Sequence, residues 1–245
     1  MRIAVVSDIH GNLPALEAVA RDIARRAADV VVNLGDSLSG PLLPRETAAF
    51  LMAQDWVHLA GNHERQLLTL GPGRWGPSDE YAHAQLTSAE LAWIATLVPC
   101  RQLNDEVLLC HGTPRSDLEY FLETVTPGGV RAATRDEVAV RLGEVSAGLV
   151  LCGHTHVARA LRAGGGTLIV NPGSVGLPAY TDEHPHPHAI ETGSPDARYA
   201  LVERRAGAWG CELISVPYDW RSMSALARAR GRSDWANALA SGYVS

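Results

Sequence analysis

The chain has 245 residues, 46% of them hydrophobic, and Lys+Arg 21 against Asp+Glu 27 leaves a net charge of −6. That length and apolar content suit one α/β unit with a large core and exclude wholesale disorder. Net acidity without a basic stripe argues against duplex DNA binding by phosphate neutralisation, and the absence of any Lys removes Walker-type phosphate binding and Schiff-base chemistry, both of which need an amine.

Ile3 to Val6 reads as a first strand buried on both faces, and it runs into Ser7-Asp8-Ile9-His10-Gly11-Asn12. It reaches Ser7-Asp8 too early for a secretory signal, and no apolar run is long enough to span a bilayer, so the expectation is a soluble cytoplasmic protein. Asn12 suits a helix cap and Pro14 a first turn, and Leu13, Leu16, Val19, Ala20 and Ile23 recur at helical spacing, which predicts an amphipathic helix over Leu13 to Ala28. Val30 to Leu34 is a second buried strand that stops at Gly35-Asp36. A helix around Arg45 to Ala53, a strand around Trp56 to Leu59 and then Gly61-Asn62-His63-Glu64 continue the α/β alternation.

Leu70 to Ser78 reads as an irregular loop, and Thr87-Ser88-Ala89-Glu90 as a helix entry with Leu91, Ile94, Leu97 and Val98 on its apolar face. Asn104-Asp105 is a turn before the strand Val107 to Cys110, which ends in His111. Arg115 to Arg141 is expected to be helical in parts, broken at Pro127-Gly128-Gly129. Leu149 to Cys152 is a strand ending in Gly153-His154-Thr155-His156. Val157 to Leu161 and Thr167 to Val170 form a hairpin around Gly164 to Gly166, and Asn171 to Gly176 is a tight loop. Asp182 to Pro195 is a second loop, with His184, His186 and His188 alternating with prolines; such a tract can bind metal, but a solvated loop is the expectation. Ala197 to Glu203 and Cys211 to Pro217 pair as a second hairpin, and Trp220 to Gly231 closes the chain as a helix. The scattered Cys100, Cys110, Cys152 and Cys211 contain no Cys-x-x-Cys pair and are expected to be buried free thiols. No repeat or linker divides residues 1–245, so one domain is expected, with excursions near 70–98 and 113–143 walling a cleft.

The chemistry lies in positions. Asp8, Asp36, Asn62, His111 and His154 each fall at or just past the C-terminal end of a predicted strand, the edge at which open α/β sheets bind ligands. Asp8 and His10 are two apart, as are His154 and His156, a spacing that puts both side chains of an extended segment on one side. Such pairs can share one metal ion or serve two lying about 3.5–4 Å apart. Imidazole, carboxylate and amide oxygen without thiolate suit borderline ions: Mn²⁺, Fe²⁺, Zn²⁺, Co²⁺ or Ni²⁺. Taken singly, Asp8, Asp36 and Asn62 would read as turn or cap residues. His58 reads as a core residue, His83 as exposed, and the Gly173-Ser174 loop as either a phosphate cradle or a plain turn.

The order D-x-H, G-D, G-N-H-E, H, G-H-x-H, spread from Asp8 to His156, resembles the calcineurin-like metallophosphoesterase superfamily, and within it the small bacterial and archaeal phosphodiesterases. The resemblance implies a four-layer α-β-β-α sandwich with two mixed central sheets. It implies that Asp8, His10 and His156 hold one divalent ion, that Asn62, His111 and His154 hold a second, and that Asp36 bridges them. His63 would bind no metal and would protonate or stabilise the leaving group. Two such ions would bring the pKa of a bridging water towards neutrality, giving a hydroxide nucleophile that attacks a phosphodiester. The implied partner is a small phosphorylated substrate, with nucleotides among the candidates. Protein serine/threonine phosphatases of the superfamily carry an arginine shortly after the Gly-Asp, whereas Gly35-Asp36 continues Ser37-Leu38-Ser39-Gly40, which argues against that branch. Arg65 is a further candidate substrate contact. The alternatives are a non-catalytic scaffold of this fold, such as the retromer subunit that lacks the histidine corresponding to His63, and a nucleotide pyrophosphatase or phosphomonoesterase using the same site.

Overall fold

The computed structural model describes residues 1–244. In chain order its elements are β1 (Arg2–Val6), α1 (Leu13–Arg25), β2 (Val30–Asn33), α2 (Pro44–Met52), β3 (Val57–His58), α3 (Asn62–Thr69), α4 (Pro77–Gln85), α5 (Ser88–Ile94), β4 (Cys100–Asn104), β5 (Val107–Cys110), β6 (Glu123–Thr126) and β7 (Gly129–Ala132). There follow α6 (Arg135–Leu142), β8 (Leu149–Leu151), β9 (Arg159–Arg162), β10 (Leu168–Asn171), β11 (Ala179–Asp182), β12 (His188–Glu191), β13 (Ala197–Arg205), β14 (Ala208–Val216), α7 (Trp220–Ala229) and α8 (Ser233–Ser241). One five-stranded sheet has the order β14-β13-β1-β2-β3 and the other β4-β5-β8-β10-β9. Both are mixed: β1, β2 and β3 run parallel, as do β5, β8 and β10, while β13, β14, β4 and β9 are antiparallel to their neighbours.

Alternation along the parallel strands explains the layers, because successive side chains leave opposite faces. Ile3, Val5, Val32 and Leu34 of the first sheet meet Val107, Leu109, Leu149 and Leu151 of the second in a core between the sheets. The intervening residues point outward: Ala4 and Val6 pack with Leu16 and Val19 of α1, and Leu108 and Val150 with Val138 and Leu142 of α6. Helix, sheet, sheet, helix is therefore the four-layer arrangement the sequence implied. A fourth apolar cluster joins α7 and α8 through Met223, Ala227, Trp235 and Leu239 to Leu42 and Leu177.

Helix α1 is tied to the sheet by a buried phenol: Tyr199 donates its hydroxyl to Asp22 Oδ2 at 2.6 Å, and Arg26 and Arg25 ion-pair with the same carboxylate. Against the opposing effect of burial, these hydrogen bonds hold the Asp22 carboxyl down at about 2. A depressed carboxyl stabilises the fold above its unfolded pKa and loses that contribution as pH falls through its folded value. The melting-temperature gap between the wild type and Asp22→Asn is thus expected to be full at neutral pH and to close as pH falls towards about 2; a gap constant across that range contradicts the pairing.

Several sequence expectations need correcting. Helix α1 stops at Arg25, because Ala27 takes a left-handed φ of 50°. Arg115 to Thr134 holds no α-helix: it is irregular chain and the β6–β7 hairpin, and the helix α6 starts only at Arg135. The supposed loop Asp182 to Pro195 contains β12, paired with β11, and residues 77–78 belong to α4. Helices α3 and α8 and strand β4 were not foreseen; each is short, and their apolar spacing is too sparse to register. All four cysteines are free, with Cys110 and Cys152 buried. Among the described residues no helix is long and apolar enough to cross a membrane.

Candidate metal centre

The C-terminal ends of β1, β2, β3, β5 and β8 converge on one edge, and their exit loops are laced together by backbone hydrogen bonds. Asp8 N donates to Gly35 O, His10 N to Asp36 O and Gly153 N to His111 O. Among the described residues seven non-glycine residues have positive φ, and five are Asp8, His10, Asp36, His154 and His156, between 53° and 69°. Non-glycine residues rarely adopt that conformation, and such strain gathers where function fixes the backbone. At Gly35 (φ 103°) no side chain fits, since a Cβ there would sit 2.3 Å from Gly61 N.

The ring orientations define the site. His10 Nδ1 lies 2.8 Å from Ser39 O, His111 Nδ1 2.9 Å from Leu34 O, His156 Nδ1 2.7 Å from Leu177 O and His154 Nε2 3.1 Å from Leu118 O. A carbonyl oxygen only accepts, so each of those nitrogens carries the hydrogen and the other nitrogen of each ring presents its lone pair to the centre. His10 Nε2 and His156 Nε2 then face each other at 3.1 Å as two acceptors, and only a cation between or beside them reconciles the pair. Burial and the facing His156 push His10 down to about 3, which disfavours a proton in that role. Asp8 Oδ1 lies 3.5 Å from His156 Nε2 and is buried without a hydrogen-bond partner. On the other side, His111 Nε2 is 3.2 Å from both Asp36 Oδ2 and Asn62 Oδ1. Asp8, His10 and His156 form one group that could hold a metal ion, and Asp36, His111 and His154 a second. The backbone carbonyls orient these imidazoles as metal-binding histidines are commonly oriented, so the residues fit a divalent ion in each group.

Charge supports the fit. Burial opposes ionisation of Asp36, yet His111 and His63 hold its carboxyl well below the usual range. Burial likewise opposes a charged His111, but Asp36 raises it to about 10, while burial and His111 lower His154 to about 4. The carboxylates demand positive charge, and His10 and His154 refuse to supply it as protons.

His63 stands beside this centre with its ring centroid 5.5 Å from that of His10. Its backbone N–H donates to Asp36 Oδ1 at 2.9 Å, and its Nδ1–H to Asp79 Oδ1 at 2.7 Å, leaving Nε2 uncommitted in the cleft. Burial opposes a charged His63, but Asp36 and Asp79 raise it to about 9. Sequence reasoning missed Asp79, a lone acid on α4 with no motif around it. It also missed the role of Glu64, which is fully buried and accepts from the amides of Asp36, Ser37 and Gly61 at 2.8 Å each, locking two motif loops together.

The centre opens into a cleft of about 970 Å³. Both foreseen excursions contribute to its wall, through Gly76 and Ser78 and through Leu118 to Tyr120, Glu123 to Val125 and Arg141, and so do Tyr180 and Trp235, which were not foreseen. Arg65 instead forks onto Asp117 at 2.6 and 3.0 Å and does not line the cleft. Tyr120 lines it, whereas Phe121 is core and Trp75 stacks on His83 at 4.2 Å. His58 is only half-buried, between Trp56 and Trp93, and burial lowers it to about 4. The Gly173-Ser174 loop acts as a brace: Gly173 N donates to Asn171 Oδ1, Val175 N to Ser7 O and Gly176 N to Asp8 O, so these three amides are already occupied. His188 is buried in β12 while His184 stays in solvent, and these histidines do not form a metal-binding group among the described residues.

A two-sheet α/β sandwich with His/Asp groups on the strand-end edge is the architecture of a metal-dependent phosphoesterase. The chain belongs to the calcineurin-like phosphoesterase superfamily, whose domain model matches residues 1–192. It is similar over 99% of both chains to a metallophosphoesterase of Sphaerobacter thermophilus, at 25% identity and a TM-score of 0.76. It shares its fold with a hypothetical protein of Pyrococcus horikoshii, at 18% identity, a TM-score of 0.74 and 98% coverage of both chains. An uncharacterized protein of Methanocaldococcus jannaschii is 38% identical over 66 residues, 27% of each chain.

Proposed function

We propose that the protein is a dinuclear-metal phosphodiesterase acting on small phosphodiesters, with residues 1–245 working as one domain. The observation that carries this reading is the set of four imidazole nitrogens turned inward around two buried carboxylates. Asp8, His10 and His156 would hold one ion and Asn62, His111 and His154 the other, with Asp36 shared between them. Bound ions of the Mn²⁺, Fe²⁺, Co²⁺, Ni²⁺ or Zn²⁺ type would neutralise the phosphoryl oxygens and lower the pKa of an attacking water.

The chain's own residues do the rest. His63 presents Nε2 to the leaving oxygen, and Asp79 fixes the tautomer by taking the Nδ1 hydrogen. Asp36 binds the His63 amide and thereby sets the distance between metal centre and proton donor. Free thiols throughout support a reducing, cytoplasmic setting. The presence of His63 in the cleft favours catalysis over a bare scaffold role.

The test is hydrolysis of bis(p-nitrophenyl) phosphate by protein supplied with Mn²⁺ or Ni²⁺; no turnover with any divalent ion overturns the reading. Asp79→Asn is expected to lower kcat about 10–100-fold, the cost of losing an orienting partner, with KM little changed. An unchanged kcat would remove Asp79 from the mechanism.

A further inference from the structure

Resting on the phosphodiesterase reading, we infer that the cleft contains a second subsite, built on Tyr180, which takes an alcohol arm of the substrate that bears free hydroxyl groups.

The argument starts at His188. Its Nδ1 lies 2.8 Å from His186 O, which only accepts, so the ring carries its hydrogen there and presents Nε2 as the acceptor. Tyr120 Oη, 2.9 Å from that Nε2, must donate to it. Tyr120 has only one hydroxyl hydrogen, so the 2.6 Å contact with Tyr180 Oη requires Tyr180 to donate to Tyr120. The direction of the chain is thereby fixed from the His188 end. Tyr180 Oη also lies 3.4 Å from His154 O, but the 2.6 Å contact with Tyr120 takes its hydrogen, and what it retains for the cleft is a lone pair. It can recognise a donor and nothing else.

Its surroundings are of the same kind. Asp182 and Glu123 line this part of the cleft, and carboxylates only accept. Glu123 pairs Oε1 with Arg159 at 2.7 Å, while its Oε2 is buried and has no hydrogen-bonding partner. Arg141, the nearby cation on the wall, directs N–H groups at Phe121 O, Glu123 O and Thr124 Oγ1. A wall of acceptors whose arginine is already engaged suits a polyhydroxy arm and repels a second phosphate.

Position separates this subsite from the leaving group. Ring centroids step from His63 to His10 at 5.5 Å, from His10 to His156 at 5.0 Å and from His156 to Tyr180 at 4.7 Å. Tyr180 thus stands three rings beyond the proton donor, where the arm that stays on the phosphate would lie.

Two esters sharing one leaving group test this: 2,3-dihydroxypropyl p-nitrophenyl phosphate and propyl p-nitrophenyl phosphate. The wild type is expected to favour the dihydroxypropyl ester in kcat/KM by about tenfold or more, and Tyr180→Phe to bring that ratio close to one. Equal rates in the wild type, or a preference that survives Tyr180→Phe, overturn the inference. So does a higher kcat/KM for the choline or 2-carboxyethyl ester, which would assign the wall to ammonium or anion recognition. Calorimetry gives a readout without turnover: glycerol 3-phosphate is expected to bind the Mn²⁺-loaded protein more tightly than propyl phosphate, and equal affinities overturn the inference. That preference persisting in a protein inactive on every phosphodiester would sink the catalytic reading and leave the subsite standing.

Discussion

Replacing Asp36 with asparagine is expected to abolish phosphodiester hydrolysis and to reduce bound divalent ions from about two per chain to about one or fewer. The substitution keeps the volume and the oxygen that accepts the His63 amide, but removes the charge that, on the proposed reading, both halves of the centre would share. Around that position, Asp36 Oδ2 meets His111 Nε2 at 3.2 Å and a fully buried Glu64 clamps the Asp36 amide. The backbone is thus held whatever the side chain, which separates loss of charge from loss of fold. A fall in kcat of about 10³-fold or more, roughly 4 kcal/mol, is the scale on which removal of a charge-stabilising group acts. Metal analysis alongside turnover checks it, with the melting temperature as control. Retention of two ions together with full activity would show that Asp36 does not join them.

His63→Ala is expected to do the opposite with metal. Its side chain donates to Asp79 and its ring faces that of His10, but it belongs to neither of the groups that could hold an ion. The ions should stay at about two per chain while kcat falls about 10²–10⁴-fold, the range for loss of a general acid. The loss should be larger for a dialkyl phosphodiester than for bis(p-nitrophenyl) phosphate, because p-nitrophenolate departs without needing a proton and an alkoxide does not. Metal loss in this variant would show that the division of roles between His63 and Asn62 is wrong. An equal effect on both substrates would take the proton transfer away from His63.

Much of the site was legible because its chemistry sits at strand ends, and buried parallel strands announce themselves as continuous apolar runs. Val30 to Asn33 followed by Gly35-Asp36 is such a case. The residues that hold the centre in shape were harder to see. Asp79 reaches His63 from a helix whose apolar pattern is weak, and Tyr180 acquires its meaning only through Tyr120, which lies 60 residues from Tyr180 and 68 from His188 in partnerships that no local spacing reveals. The His-Pro tract read as a solvated loop because prolines dominate it; the short strand at its end is set by pairing with Ala179–Asp182, a tertiary effect. The stretch from Arg115 to Arg141 read as helical in parts, and the chain instead spends it, as far as Thr134, on cleft wall and hairpin.

The shared pair of cations is tested most directly by anomalous diffraction from crystals grown with Mn²⁺. Two peaks about 3.5–4 Å apart are expected, one among Asp8, His10 and His156, the other among Asn62, His111 and His154, with the Asp36 carboxylate between them. A single peak, or two peaks of which only one touches Asp36, would contradict the account.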